Sequence, residues 1–224
     1  MRVWETGVVS LNPAGNAGGD GLKGYDTRGN WTDTINFPPR APSPASTNGI
    51  YRWQRPKGST SMQVPFWPSA LLTLDARHFI WRKPPGNEYR IVRTTFTGDT
   101  VLVVETQRPK VPVSQAERDS VVAHVRKIVG EQDWSQIPAE KPVFDQMFVS
   151  DDGDLWVRIS TPENDRTTFD VFGDDGRYKG TVAIPLRVFR SLNPVVRGDR
   201  IWALVQDDLD VFYIIRGRLA EYTK

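Results

Sequence analysis

An all-β fold assembled from repeated four-stranded antiparallel units, the plan of a β-propeller, is what this sequence predicts. Three observations predict it. Pro142 to Pro185 holds four short strand-like runs joined by tight turns, residues 25–38 align without gaps onto 172–185, and Trp81, Trp156 and Trp202 recur at matching places in three units. A unit of about 44 residues with four strands has the size of one propeller blade.

The 142–185 stretch serves as the template. Val143 to Val149 is apolar, Asp151-Asp152-Gly153-Asp154 is an acidic turn, and Leu155-Trp156-Val157 opens a second run. After a polar loop from Ser160 to Arg166 come Thr168 to Phe172, the turn Asp174-Asp175-Gly176, and Tyr178 to Ile184. Such β-branched and aromatic runs bounded by Gly and Asp clusters read as strands and hairpins.

Residues 1–38 form the first unit. Setting Gly29 on Gly176 places Tyr25 on Phe172, Trp31 on Tyr178, Thr34 on Thr181, Ile35 on Val182, Phe37 on Ile184 and Pro38 on Pro185. A hairpin explains the match, because glycine supplies the positive φ of the turn while alternate side chains face one side of a sheet. Within the Gly-rich run Asn12 to Gly24, the letters Gly19-Asp20-Gly21-Leu22-Lys23-Gly24 fit a dinucleotide fingerprint. That fingerprint requires a helix after the glycines, whereas a strand and turn follow here, so the run reads as a long loop.

From 39 to 65 the pattern shortens. Pro38, Pro39, Pro42 and Pro44 exclude regular structure, and only one hairpin fits, Ile50 to Trp53 and Thr60 to Val64 flanking Pro56-Lys57-Gly58. Residues 66–113 restore a full unit: Ala70 to Leu74, the turn Asp75-Ala76-Arg77-His78, Phe79-Ile80-Trp81, Tyr89 to Thr95 and Thr100 to Glu105. His78 takes the place of Gly153 and reads as a turn residue.

Residues 114–138 interrupt the strands with a helical insert. Ser114-Gln115-Ala116-Glu117 is a capping box, and Val121, Val122, Val125, Ile128 and Val129 recur at helical spacing before Gly130, giving an amphipathic helix near 114–130. It is expected to cover a face or edge of the sheets. His124 lies beside the apolar stripe with no second histidine near it. Residues 139–185 are the template unit and 186–224 the last, with a first strand in Leu186 to Leu192, a turn at Arg197-Gly198-Asp199, strands at Ile201 to Val205 and Val211 to Ile215, and a weak outermost strand in Leu219 to Thr223. The whole chain, 1–224, is expected to form a single domain of four to five blades.

Composition limits function. Hydrophobic residues make up 38% of the chain and aromatics 11%, with eight Trp, enough for a core. A formal charge of +2 with interspersed signs argues against nucleic acid or an anionic membrane as partner. With no Cys there is no disulfide, thiolate or Cys-based zinc chemistry. No window is long and apolar enough to span a membrane, and Met1-Arg2-Val3-Trp4 opens on strand-like sequence without a signal-peptide core.

Asp151 to Val157, Phe169 to Phe172 and Asp175-Gly176-Arg177 together resemble the NHL-like class of six-bladed β-propellers, and specifically the bacterial proteins described only as "6-bladed β-propeller". Further points of similarity are Val64-Pro65-Phe66 to Val104, then Val111-Pro112-Val113-Ser114 with Glu117-Arg118, and an ending like Gly198-Asp199-Arg200 to Ile214-Arg216; the likeness covers most of 60–218. The resemblance implies a propeller of an exported, periplasmic or secreted kind. Such proteins are usually longer than this chain, so the resemblance by itself implies neither a closed ring nor a central-channel site here.

No catalytic, cofactor-binding or metal-ligating residue is predicted. Asp151, Asp152 and Asp154 are the one place where Ca²⁺ comes into question, but they lack the spacing and the bidentate Glu of a calcium loop and read as a solvated turn. Asp207, Asp208 and Asp210 read as a hairpin bend, and Asp26 and Asp170, inside strands, as caps of neighbouring backbone amides. Two histidines without a nucleophile elbow support no Ser/His/Asp arrangement. Asn30-Trp31-Thr32 matches a glycosylation sequon by letter alone, and Arg52, Arg55 and Lys57 among Tyr51 and Trp53 read as a solvated edge hairpin. The three recurrent tryptophans read as packing between blades and not as a stacking platform. The expected function is a non-enzymatic binding or interaction module with a protein, peptide or glycan at its loop face; the alternative is a metal-dependent lactonase- or lyase-like propeller enzyme. Open blade edges also invite self-association, and sites are expected where the units differ: the 12–24 loop, the short second unit and the helix.

Overall fold

A computed structural model describes residues 49–220 apart from 56, 57, 76, 78, 163–165 and 208, together with Arg28; residue 55 and the strands within 2–36 are described as backbone alone. Within that extent the chain forms seventeen strands and one α-helix. The first sheet is an antiparallel meander of β1 (Arg2–Trp4), β2 (Gly7–Asn12), β3 (Gly21–Tyr25) and β4 (Trp31–Asn36). A separate hairpin, β5 (Ile50–Arg55) and β6 (Gly58–Gln63), occupies the short unit. Two further four-stranded meanders follow: β7 (Leu71–Leu74), β8 (Ile80–Lys83), β9 (Arg90–Thr94) and β10 (Thr100–Glu105), then β11 (Phe144–Val149), β12 (Leu155–Ile159), β13 (Thr167–Phe172) and β14 (Tyr178–Ile184). The last sheet has three described strands, β15 (Val195–Arg197), β16 (Arg200–Gln206) and β17 (Phe212–Arg218).

Internal repetition extends to strand register. Tyr25 pairs with Trp31 and Leu22 with Ile35, as Phe172 pairs with Tyr178 and Phe169 with Val182. In both sheets the register slips by one residue immediately before the aromatic pair, at Gly24/Tyr25 and Val171/Phe172. The sequence alignment therefore matches the two hairpins residue for residue, including the bulge, a local kink that strengthens strand twist.

Sheets pack through faces of opposite kind. Trp81, Tyr89, Ile91 and Val104 on one side of β7–β10 meet Met147, Val149, Leu155 and Val157 of β11–β14. The opposite face of β11–β14, carrying Phe148, Trp156, Phe169 and Val171, covers Val196, Ile201, Ala203 and Val205 of β15–β17. The Trp81 face and the Trp156 face thus each cover the next sheet in the chain. With both faces occupied, every residue of β13 is buried, which is why Thr167 to Phe172 shows no clean polar–apolar alternation. Removing a side chain such as Phe169 from water contributes about 1.5–3 kcal/mol. First strands β7 and β11 also lie beside one another.

The helix α1 (Gln115–Val129) starts and stops as its sequence directs. Ser114 Oγ accepts from Glu117 N at 3.2 Å, the Glu117 carboxylate accepts from Ser114 N at 2.9 Å, and Gly130 ends the helix at φ 76°. A bridge between Pro112 and Glu140 closes the base of the insert. Val125 and Val129 are buried, with Val121 and Val122 beside them, against Tyr51 and Val64 at the β5–β6 hairpin, Ile137 and Trp134. Ile128, expected in that stripe, is 50% exposed, so the buried stripe is narrower than its periodicity suggests.

The last unit departs most from expectation. Its first strand does not run through Leu186 to Leu192: Val188 makes an isolated bridge to Val205, residues 190–192 turn away, and pairing resumes at Val195 opposite Trp202. Gln146 of β11 anchors the diverted loop by donating to the carbonyls of Arg190 and Leu192 and to Asn193 Oδ1, at 3.2, 3.3 and 2.9 Å. Among the described residues no fourth strand pairs with β17; Leu219 and Ala220 are not in a strand, and the rest of the expected strand at Leu219 to Thr223 lies outside the described residues.

Candidate functional site

A cleft of about 430 Å³ opens between the segment after β6, strand β7 and strand β11. Local sequence shapes its main wall. In Val64-Pro65-Phe66-Trp67 the amide of Trp67 donates to Val64 O at 3.2 Å, closing a turn with Pro65 at its second position and Phe66 at its third. Phe66 takes φ 59°, the sign a type II turn demands and glycine normally supplies; an aromatic residue held there costs about 1–3 kcal/mol. Trp67 is set in turn by Gly49, which also accepts from Val64 N at 2.8 Å. The Trp67 carbonyl accepts from Gln63 Nε2 at 3.2 Å and from Ser69 Oγ at 3.3 Å.

Half-buried Phe66, Trp67 and Leu71 supply the apolar part of the cleft lining, Phe144 lies buried behind it, and Asp145 and Arg190 supply a charged part. Asp145 accepts from Arg158 Nε at 2.6 Å and from the Arg190 guanidinium. Burial lowers the Arg158 pKa, partly offset by the Asp145 carboxylate beside it. Arg190, on the loop diverted from the last unit, is the exposed member of this trio.

Behind Phe144 lies an unusual lysine. Lys83 is 1% exposed, and its ammonium donates to the carbonyls of Ser69 at 3.0 Å, Pro84 at 3.4 Å and Gly86 at 2.6 Å while sitting 5.3 Å from the Phe144 ring centre. No carboxylate forms an ion pair with it among the described residues, and burial lowers its pKa to about 8.

A second cleft, about 320 Å³, shares Pro142 with the first and is bordered by Tyr89, Arg108, Lys110 and Lys141. Its cations are already engaged: Lys110 with Glu140, Lys141 with Glu117, and Arg108 with Asp170. Asp170 is completely buried and accepts from Tyr89 Oη at 3.0 Å, Arg108 Nε at 3.1 Å and Thr181 Oγ1 at 3.0 Å. Burial, and then the Asp170 charge, raise the Tyr89 pKa far above the ordinary phenol range. Asp170 therefore does not cap a backbone amide, as its place within a strand suggested; it joins β13 to β9 and to the segment after β10.

The other sequence-marked residues disperse. Asp151 pairs with Arg197 at 2.7 Å, Asp152 accepts from Gly198 N at 2.9 Å, and Asp154 holds Lys179 at 2.6 and 2.9 Å, so the acidic turn ties strands together instead of converging its oxygens. Asp207 accepts from the amides of Leu209 and Val211, both at 2.9 Å, as a hairpin bend should. Among the described residues no three His, Cys, Asp or Glu side chains gather as a metal site. No described helix is long and apolar enough to cross a membrane. His124 is exposed on α1. His78, Asp208, Asp26, Asn30, Lys57 and the loop glycines up to Gly19 lie outside the described residues.

Trp81 and Trp156 are buried between sheets, and Trp81 Nε1 donates to Asp75 Oδ2 at 3.2 Å. Trp202 differs: its neighbours Ile201 and Ala203 enter the core, leaving the indole half-buried on the other face of the last sheet. The cleft residues Phe66, Trp67, Asp145 and Arg190 carry no sequence motif for a site; the one local signal is a Pro-Phe-Trp-Pro run, whose turn places an aromatic where glycine is normal. Comparison with protein-family profiles and with curated proteins yields no match to this chain.

Proposed function

We propose that the chain is a β-propeller binding module without catalytic chemistry, and that the Trp67 cleft takes an apolar side chain from a protein or peptide. The propeller reading draws support from the successive meanders, their shared bulge position, and the way the Trp81 and Trp156 faces each cover the next sheet. The observation that carries the functional reading is the cleft itself, lined by half-buried Phe66, Trp67 and Leu71 beside the charged pair Asp145 and Arg190. Apolar pockets with a few placed polar groups suit such recognition. Asp145 and Arg190 would then meet the peptide backbone or a flanking charge.

A random heptapeptide display library panned on the immobilised chain tests this reading. The expected result is enrichment of sequences sharing an aliphatic or aromatic anchor, lost on a Trp67→Ala variant. A library without enrichment, or one enriched equally by Trp67→Ala, overturns the assignment of the cleft. Hydrolysis of a lactone or small ester that appears on adding Ca²⁺ or Zn²⁺ would overturn the non-enzymatic reading in favour of the metal-dependent alternative.

A further inference from the structure

The Asp145 carboxylate in the Trp67 cleft is shared by two guanidiniums. Its Oδ1 accepts from Arg158 Nε at 2.6 Å and its Oδ2 from Arg190 Nη2. In the neighbouring cleft each cation has a carboxylate of its own, Arg108 with Asp170, Lys110 with Glu140 and Lys141 with Glu117. Here two positive charges meet one negative, and a positive charge is left over. Arg158 bears that imbalance in a buried place. Its side chain is 9% exposed and its Nη2 has no hydrogen-bond partner, while burial, and to a lesser extent the charge of Arg190, lower its pKa against the pull of Asp145. Arg190 is the cation an occupant can reach. It lines the cleft, its side chain is 67% exposed, and its guanidinium donates to no described acceptor besides Asp145, which leaves further N–H groups for a second one.

We propose that Arg190 takes the C-terminal carboxylate of a peptide whose last side chain, an apolar one, fills the Trp67 cleft. This rests on the peptide-binding reading of that cleft and names the end of the peptide that enters it. Charge selects the carboxylate: one more on Arg190 brings the cluster of Asp145, Arg158 and Arg190 to neutrality, and a planar guanidinium pairs with a carboxylate through two parallel bonds. Chain geometry selects the C-terminus. There the carboxylate and the last side chain leave the same α-carbon, so one residue meets both Arg190 and the apolar lining of Phe66, Trp67 and Leu71. An aspartate or glutamate next to the anchor in an extended peptide points to the opposite side instead. Asp145 acts through Arg190 as a positioning residue. With both oxygens engaged and its side chain 14% exposed, it holds the guanidinium at the cleft, while Gln146 tethers the loop through the carbonyls of Arg190 and Leu192.

The test uses the full chain, immobilised, and two pools of random heptapeptides that differ only at the C-terminus, one of free acids and one of amides, with retained peptides identified by mass spectrometry. Free acids ending in Leu, Ile, Val or Phe are expected to be retained about tenfold over the matching amides, the size of one charge-assisted pair. Arg190→Gln is expected to erase that difference, and Arg190→Lys, which keeps the charge without the fork, to retain part of it. Trp67→Ala loses both pools. Thermal melts by circular dichroism that match wild type establish that the Arg190 variants are folded, as expected for a side chain so exposed. Equal retention of acids and amides, both lost on Trp67→Ala, overturns the carboxylate assignment and leaves the apolar cleft standing. A preference for acids that persists in Arg190→Gln overturns it too, as do amides retained through an internal Asp or Glu. Retention of neither pool overturns the proposal together with the reading on which it rests.

Discussion

Gly49 lies directly beneath the indole of Trp67: a β-carbon at residue 49 would come within 2.6 Å of Trp67 Cδ1, and the glycine sits at φ 92°. The cleft wall therefore depends on a residue that never touches the cleft. Gly49→Ala is expected to destabilise the chain by about 2–4 kcal/mol, from overpacking together with the left-handed backbone. It should also abolish peptide enrichment as Trp67→Ala does. Urea denaturation followed by tryptophan fluorescence measures the first effect, and unchanged stability would show that Trp67 can move aside without cost.

Lys83 predicts an unusual pH dependence. Below pH about 8 its amine is protonated in folded and unfolded chains alike, so the cost of burying the charge is fully present. As pH rises above about 8 the folded amine loses its proton before the unfolded one, whose pKa stays near the ordinary lysine value, and stability increases. Relative to Lys83→Met, wild type should gain about 2 kcal/mol between about pH 7 and about pH 9.5. Urea titrations of both proteins at the two pH values supply the comparison; a difference that does not change with pH would mean the ammonium is solvated.

The buried Asp170 carboxylate makes the β9–β13 junction sensitive to either partner. Asp170→Ala leaves the buried Tyr89 hydroxyl without its acceptor and removes the main partner of Arg108, which keeps its bond to Tyr178, and should cost about 2–3 kcal/mol. Tyr89→Phe removes one of several donors and should cost about 1–2 kcal/mol. Unfolding free energies that fail to rank in this order would mean that the carboxylate is held chiefly by the tyrosine. A spectrophotometric titration should find the Tyr89 phenol still protonated where the exposed tyrosines have ionised.

At the start of α1, Ser114→Ala removes one side of the capping box and should lower stability by about 1 kcal/mol with an unchanged urea m-value. A larger loss accompanied by a lower m-value would indicate that the insert unfolds as a unit of its own.

The strands between 50 and 184, the hairpin at 50–63, the helix with its Ser114 cap and the matched hairpins at 25–36 and 172–184 are legible in the amino-acid order, because turn chemistry, capping and two-residue alternation act between neighbours in the chain; the loop read over 12–24 instead gives Gly21 to Gly24 to β3, and the strand read at Leu186 to Leu192 does not form. The bulge at Val171/Phe172 has no local signal, and the gap-free alignment onto Gly24/Tyr25 shows only that the two hairpins match, not that either carries a slip. Asp170 shows the limit of local reading. Its strand position suggested a backbone cap, but its partners Tyr89 and Arg108 are 81 and 62 residues distant in the chain.

What the sequence determined by itself is therefore the repeating unit: which residues turn, which alternate, and which tryptophan each sheet carries. Only the tertiary structure decided which faces are covered. It buries Trp81 and Trp156 and leaves Trp202 half-open, diverts residues 190–192 so that Arg190 reaches Asp145, and brings the Phe66 turn against β11 to form a cleft. Those outcomes depend on how one sheet's apolar face meets another's, an interaction between distant segments that no local pattern encodes.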